Sequence, residues 1–318
     1  LIIFIFLLSS LNLSAYNGDY FDYHRQMVAA EELIAEREFA DALEIYDDVF
    51  EKFNFIFLRD CKVATQIALQ AGNKQAALNF LRFGIKQGWE LKDIKKNNHI
   101  QKHLDPADWK AIKTEYDSLR GLFEERLNPE LRSLVKKMFK KDQWKALAAL
   151  FTFTDKGQDK YAENKFAPHS EKQIEALQQI LEDHGYPGEM LIGNDYWMST
   201  VLSHHNSISH AYQNRDTLYN SLRPALLNAI GEGQMSPFEF AIVDNWYIAV
   251  KEKRGVSSYG FLGPALNSVT LEKANILRSR IGLRSVQLRN KLVNIQQETG
   301  IDFYLSGAPW VEGKININ

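Results

Sequence analysis

Phe39-Ala40-Asp41-Ala42-Leu43-Glu44-Ile45-Tyr46 and Lys74-Gln75-Ala76-Ala77-Leu78-Asn79-Phe80-Leu81 align residue by residue, which places Ala42 and Ala77 35 positions apart. In both stretches the apolar residues return at steps of three and four, the period of a helix with one buried face. A small residue on that face lets a second helix approach closely, while Phe39, Tyr46, Phe50 and Leu81 fill the flanks. Gly72-Asn73 supplies a turn before the second stretch, whereas Arg37 stands at the matching place before the first. Asp105-Pro106 then reads as a helix start, with aspartate as N-cap and proline in the first turn.

Paired helices repeating at about 34 residues, with a small residue at the crossing, resemble tetratricopeptide units. That resemblance implies a module that contacts a protein or peptide partner; the plainer reading is a spacer. Working outward, the chain of 318 residues is long enough for about two domains. We expect an all-α fold: a tetratricopeptide-like repeat domain over 16–121 and a helical domain over 122–318.

Composition narrows the function. Lys and Arg total 38 against 40 Asp and Glu, so no basic field calls for nucleic acid. Hydrophobic residues make up 45% and charged residues 25%, which excludes a disordered chain. The single cysteine, Cys61, excludes an internal disulfide and a Cys-rich zinc site. Leu1 to Leu8 is wholly apolar, and Ser9 to Ala15 turns small and polar. This reads as a secretory signal over 1–15 with a cut near Ala15, giving a periplasmic or secreted protein. The run is far shorter than the roughly 20 residues that span a bilayer, so no stable membrane insertion is expected after cleavage.

In the second half, polar residues fall on apolar helix faces. The stripe Leu131, Leu134, Val135, Met138, Phe139 lands on Asp142 one turn later, with Lys136, Lys137, Lys140 and Lys141 on the other side. Ser170 to Gln173 reads as a capping box ahead of Ile174, Leu177, Leu181 and His184. Trp197, Val201, His205, Ile208 and Tyr212 share one stripe, so His205 points inward and His204 about 100° away. Ser236 to Glu239 reads as a second capping box, opening the apolar run Phe238–Val250. Asp244 is desolvated there, with His205, Arg278 and Arg280 as candidate partners. The density of β-branched and aromatic residues also admits a small β element within 240–265. No metal-ligand spacing, phosphate-binding loop or nucleophile elbow occurs, so no metal and no cofactor are expected.

Residues 128–293 carry Asp142-Gln143, Gly185-Tyr186-Pro187, His204-His205, Asp244-Asn245, Tyr259-Gly260-Phe261-Leu262 and Arg280-Ile281-Gly282-Leu283. In order and spacing these motifs resemble an uncharacterised, mainly bacterial domain family of unknown function. His204 stands where that family has Gln, Asn245 where it has Arg, and Phe261-Leu262 where it has Thr-Gln. The resemblance retains Asp142, His205, Asp244, Tyr259 and Arg280, and implies that they converge.

Three functions are compatible with these residues. The first is an exported binding or scaffolding protein whose carboxy-terminal domain holds a polar pocket. The second is an acid–base enzyme, a hydrolase for instance. There His205 is the base or acid, Asp244 its orienting partner, and Tyr259 with Arg280 stabilise an anion. The third is a buried polar network that specifies the helix packing. All three depend on where those five side chains lie.

Overall fold

Ala42 and Ala77 are fully buried at the helix contacts that the two aligned stretches define. A computed structural model describes residues 19–149, 157, 160–253, 258–305 and 313–318. The expected signal segment therefore lies outside the described residues. Helices α1 (Tyr20–Ala35) and α2 (Phe39–Lys52) form one pair, and α3 (Leu58–Gln70) and α4 (Lys74–Lys86) form the next. Arg37 takes the left-handed conformation, φ 69°, at the turn where a glycine was missing. Short helices α5 (Leu91–Ile94) and α6 (Asn98–His103) lead to α7 (Pro106–Arg126), which packs on α4. Asp105 caps α7 as the sequence indicates, accepting from the backbone of Ala107 and Asp108.

Helix α8 (Pro129–Ala149) opens the second half, followed by α9 (Ala167–His184), α10 (Glu189–Ile192) and α11 (Trp197–Asn206). Then come α12 (His210–Arg215), α13 (Leu218–Gly231), α14 (Pro237–Lys251), α15 (Ser268–Arg280) and α16 (Val286–Thr299). The fold is all-α: the described residues hold no strand. The run read as either helix or strand is the helix α14, because its side chains find apolar partners all round. The only β feature among the described residues near 240–265 is an isolated bridge, Leu266 to Ile317.

Two cores result. Tyr23, Ile34, Tyr46, Val63, Phe80 and Trp89 are among the residues of the first; Val135, Ile174, Tyr186, Leu202, Tyr219 and Phe240 are among those of the second. The cores do not divide at residue 121. Leu292 of α16 and the extended residues Ile301 and Phe303 belong to the first core, where Gln66 and Arg59 hold the backbone of Asp302 and Phe303. That extended segment lies along α3, so the chain covers part of the surface of its own first helix pairs.

Several local expectations change. Ser170 is not a cap: α9 begins at Ala167, and the Ser170 hydroxyl sits inside the helix facing His205. Leu134 and His184 are exposed, each rotated off its stripe. The stripe through Ile208 breaks because α11 ends at Asn206 and a new helix starts at His210. Ser236 does cap α14, but Glu239 turns away and accepts from the Tyr186 hydroxyl at 2.6 Å.

Candidate functional site

The five side chains nominated from the sequence do not share a recess. Asp244 and Tyr259 meet: fully buried, Asp244 accepts from the Tyr259 hydroxyl at 3.0 Å and the Tyr219 hydroxyl at 2.9 Å. Its cation is Arg223, bidentate at 2.7 and 3.0 Å, and not His205, Arg278 or Arg280. Arg280 ends α15 exposed to solvent. Arg278, two residues earlier, is the inward side chain and donates to the carbonyls of Tyr259 and Arg284. The sequence pattern missed Arg223 because it follows Leu222 on a helix whose core face looks complete without it.

His205 belongs to a different part of the same chain of hydrogen bonds. Its Nδ1 lies 3.0 Å from the Ser170 hydroxyl and its Nε2 3.4 Å from Asp216, whose Oδ2 also accepts from the Tyr219 backbone. Ser, His and Asp in contact have the composition of an acyl-transfer triad. The roles are closed off, however. Ser170 and His205 have no solvent exposure, and the hydroxyl lies within α9. Asp142 goes elsewhere again, 2.5 Å from Nδ1 of the half-exposed His204. Among the described residues, His205, Asp142 and the exposed Arg280 thus each meet different surroundings.

A different cluster does line a cavity. Where the two cores meet, a space of about 110 Å³ is bounded by α1, the start of α3, α10, the start of α14 and the turn after α15. Glu31, Asp60, Glu189 and Asp195 face it, with Arg59, Arg284 and His24. Gly282 shapes one wall: its φ is +74°, and a Cβ there would sit 2.6 Å from the His24 Cβ.

Charge is unevenly settled around this space. Glu31, almost fully buried, takes both arginines: Arg59 at 2.5 Å, and Arg284 through Nε and Nη2 at 2.5 and 2.7 Å. Burial works to raise its pKa, but the charges and hydrogen bonds of Arg284 and Arg59 outweigh it and the net shift is downward. Asp60 accepts from the Tyr23 hydroxyl at 2.7 Å and from Arg59 at 3.0 Å. Glu189 accepts from the Leu58 backbone N–H at 2.7 Å and makes no ion pair among the described residues. Burial, then the charge of Asp195, pushes its pKa up to about 8. Burial likewise raises Asp195, which stands at the rim. His24 is pressed to about 3 by burial and is therefore neutral, and its Nε2 meets no partner among the described residues.

No family model, no curated protein and no solved structure matches this chain. The site is therefore read from its own geometry. Among the described residues no three His, Cys, Asp or Glu side chains are placed to hold a metal ion. The signal that could have found the cavity was present in α1. Tyr20, Met27 and Ile34 make an apolar stripe on which His24 and Glu31 fall, the same anomaly that drew attention to His205. Glu189 carried no such signal, since a four-residue helix has no period to read.

Proposed function

We propose that this chain is a binding protein whose ligand site is the cavity between its two cores. The carrying observation is a space at the junction of the cores whose lining includes Glu189, a carboxyl with no cation in contact with it among the described residues. Buried polar groups are ordinarily paired, and those left open converge at sites that receive something. Binding is the reading favoured by the hydroxyl and thiol nearest the space. The Ser236 hydroxyl is committed to capping α14, and the Cys61 thiol is buried with its pKa raised well above the ordinary value. The proposal includes export, supported by the apolar run Leu1–Leu8. It also includes contact with a protein partner through the remaining outer face of the helix pairs.

A thermal-shift panel of amino acids, amines, sugars, nucleosides and organic acids tests the site. Val28 lines the cavity on α1, and Val28→Trp should fill it. At a hundred times its Kd a ligand adds about 2.7 kcal/mol to stability. At least one class should therefore raise the midpoint of the wild type by several degrees and leave Val28→Trp unmoved. A panel with no response, or responses that survive in Val28→Trp, contradicts the reading.

A further inference from the structure

We propose that the junction cavity accepts a small organic cation, an alkylammonium or guanidinium group, between Glu189, Asp195 and the imidazole of His24. This rests on the reading of that cavity as a ligand site. The lining carries four carboxylates against two guanidinium groups, Arg59 and Arg284, and both cations are already spent. Arg59 gives Nη1 to Glu31 and Asp60, and Nε and Nη2 to the Phe303 carbonyl at 3.1 and 3.0 Å. Arg284 directs Nε and Nη2 onto Glu31. An anionic ligand would find most guanidinium hydrogens occupied and four carboxylates around it.

Glu189 and Asp195 make no ion pair with any described residue. Two further cations act on them from a distance. Arg126 is stacked 4.9 Å over the Phe55 ring and donates to the Met190 carbonyl. Lys62 lies 4.7 Å over the ring of Tyr304, whose side chain stands at the cavity wall. Without a contact cation Glu189 keeps a proton, and an ammonium group would replace that proton's charge. His24 contributes wall and not a hydrogen bond: it is 6% exposed, its ring packs edge-on against Tyr23, its Nε2 is sealed from the space, and the neutral imidazole adds no charge beside a cation. Met27, Phe57 and Phe238 supply apolar wall for a short alkyl stem. The absence of a three-ligand cluster among the described residues favours an organic cation over a metal ion.

The binding equilibrium balances as follows: the ammonium ligand enters with its charge, the Glu189 carboxyl loses its proton, and the proton passes to the buffer. Titration calorimetry of the full chain at pH 7 tests this with n-butylammonium and butylguanidinium, using butanoate and 1-butanol as controls. The cations should bind and the controls should not. Heats measured in buffers of different ionisation enthalpy should show up to one proton released per cation. Glu189→Gln should weaken butylammonium binding at least tenfold and abolish the proton release. Asp195→Asn, at the rim where folding is least at risk, should weaken it severalfold. Cation binding that Glu189→Gln and Asp195→Asn leave unchanged overturns the inference, as does failure of either cation to bind. A panel compound that is anionic or neutral, and whose effect Val28→Trp removes, leaves the cavity a ligand site and overturns only the cation. Silence of both the panel and the cations removes both readings.

Discussion

Glu31→Ala is expected to cost about 3–5 kcal/mol of folding stability, the range found when one partner of a buried ion pair is removed. The magnitude comes from what is left behind. Arg59 and Arg284, with side chains 22% and 14% exposed, would keep their charges at the junction with Glu31 gone. Arg59 retains Asp60, but Arg284 loses both of its carboxylate contacts. Glu31 is on α1, Arg59 on α3 and Arg284 in the turn between α15 and α16, so this trio ties the first core to the second. Urea denaturation should show a lower midpoint. If the halves separate before either unfolds, the single transition should broaden or split. A change below about 1 kcal/mol would mean that water already screens the trio.

Asp244→Asn should be nearly as damaging, at about 3 kcal/mol, because it strips the charge from the centre of the second core. Two tyrosine hydroxyls and a bidentate guanidinium converge on that carboxylate. An amide keeps the volume but presents two donors where acceptors are needed, so at least one tyrosine hydroxyl meets another donor. Arg223 has a side chain 36% exposed and can turn toward water, which keeps the loss below that at Glu31. Tyr259→Phe removes one hydrogen bond to a charged group and should cost about 1.5–3 kcal/mol. Chemical denaturation of the two variants and of the double variant gives the coupling. A double-variant loss equal to the sum of the two single losses would show that the phenol and the carboxylate are not coupled, against the contact seen.

The helical architecture was legible because it is written in local periodicity. Ala42 and Ala77 marked the helix crossings, and Asp105-Pro106 marked the start of α7. The inward direction of Asp142, His205 and Asp244 was legible for the same reason, and each is buried; Tyr259, also buried, was nominated only by a loop motif. Their partners were not. A helical stripe gives a side chain's direction but not which distant element meets it, so Arg223, Ser170, Asp216 and His204 could be found only in three dimensions. Arg280 was misplaced by two residues in a helix with no dominant apolar face, where Arg278 takes the inward position. The junction cavity is the extreme case. It draws on α1, α3, α10, α14 and two connecting segments, and no single window of sequence contains more than a fragment of it.

The central claim is that Glu189 lies in that cavity without a counter-charge and therefore holds its proton at neutral pH. A carboxyl whose pKa is about 8 in the folded chain and ordinarily 4.5 binds a proton in the native state that the unfolded state has released. Its contribution to stability falls as pH rises through that window, by at most about 1.4 kcal/mol per unit. His24, with a folded value of about 3, acts in the opposite sense, and its slope fades as pH rises past about 6.5. It is common to the wild type and Glu189→Gln, so the difference between their slopes reports Glu189. Glu239, raised well above its ordinary value first by burial, slopes in the same sense, and Glu189→Gln also removes the part of that rise due to the charge of Glu189. The decisive measurement is unfolding free energy by urea at pH 6.5, 7, 7.5 and 8 for the wild type and Glu189→Gln. The wild type should fall more steeply than the variant across that range; parallel lines would contradict the account.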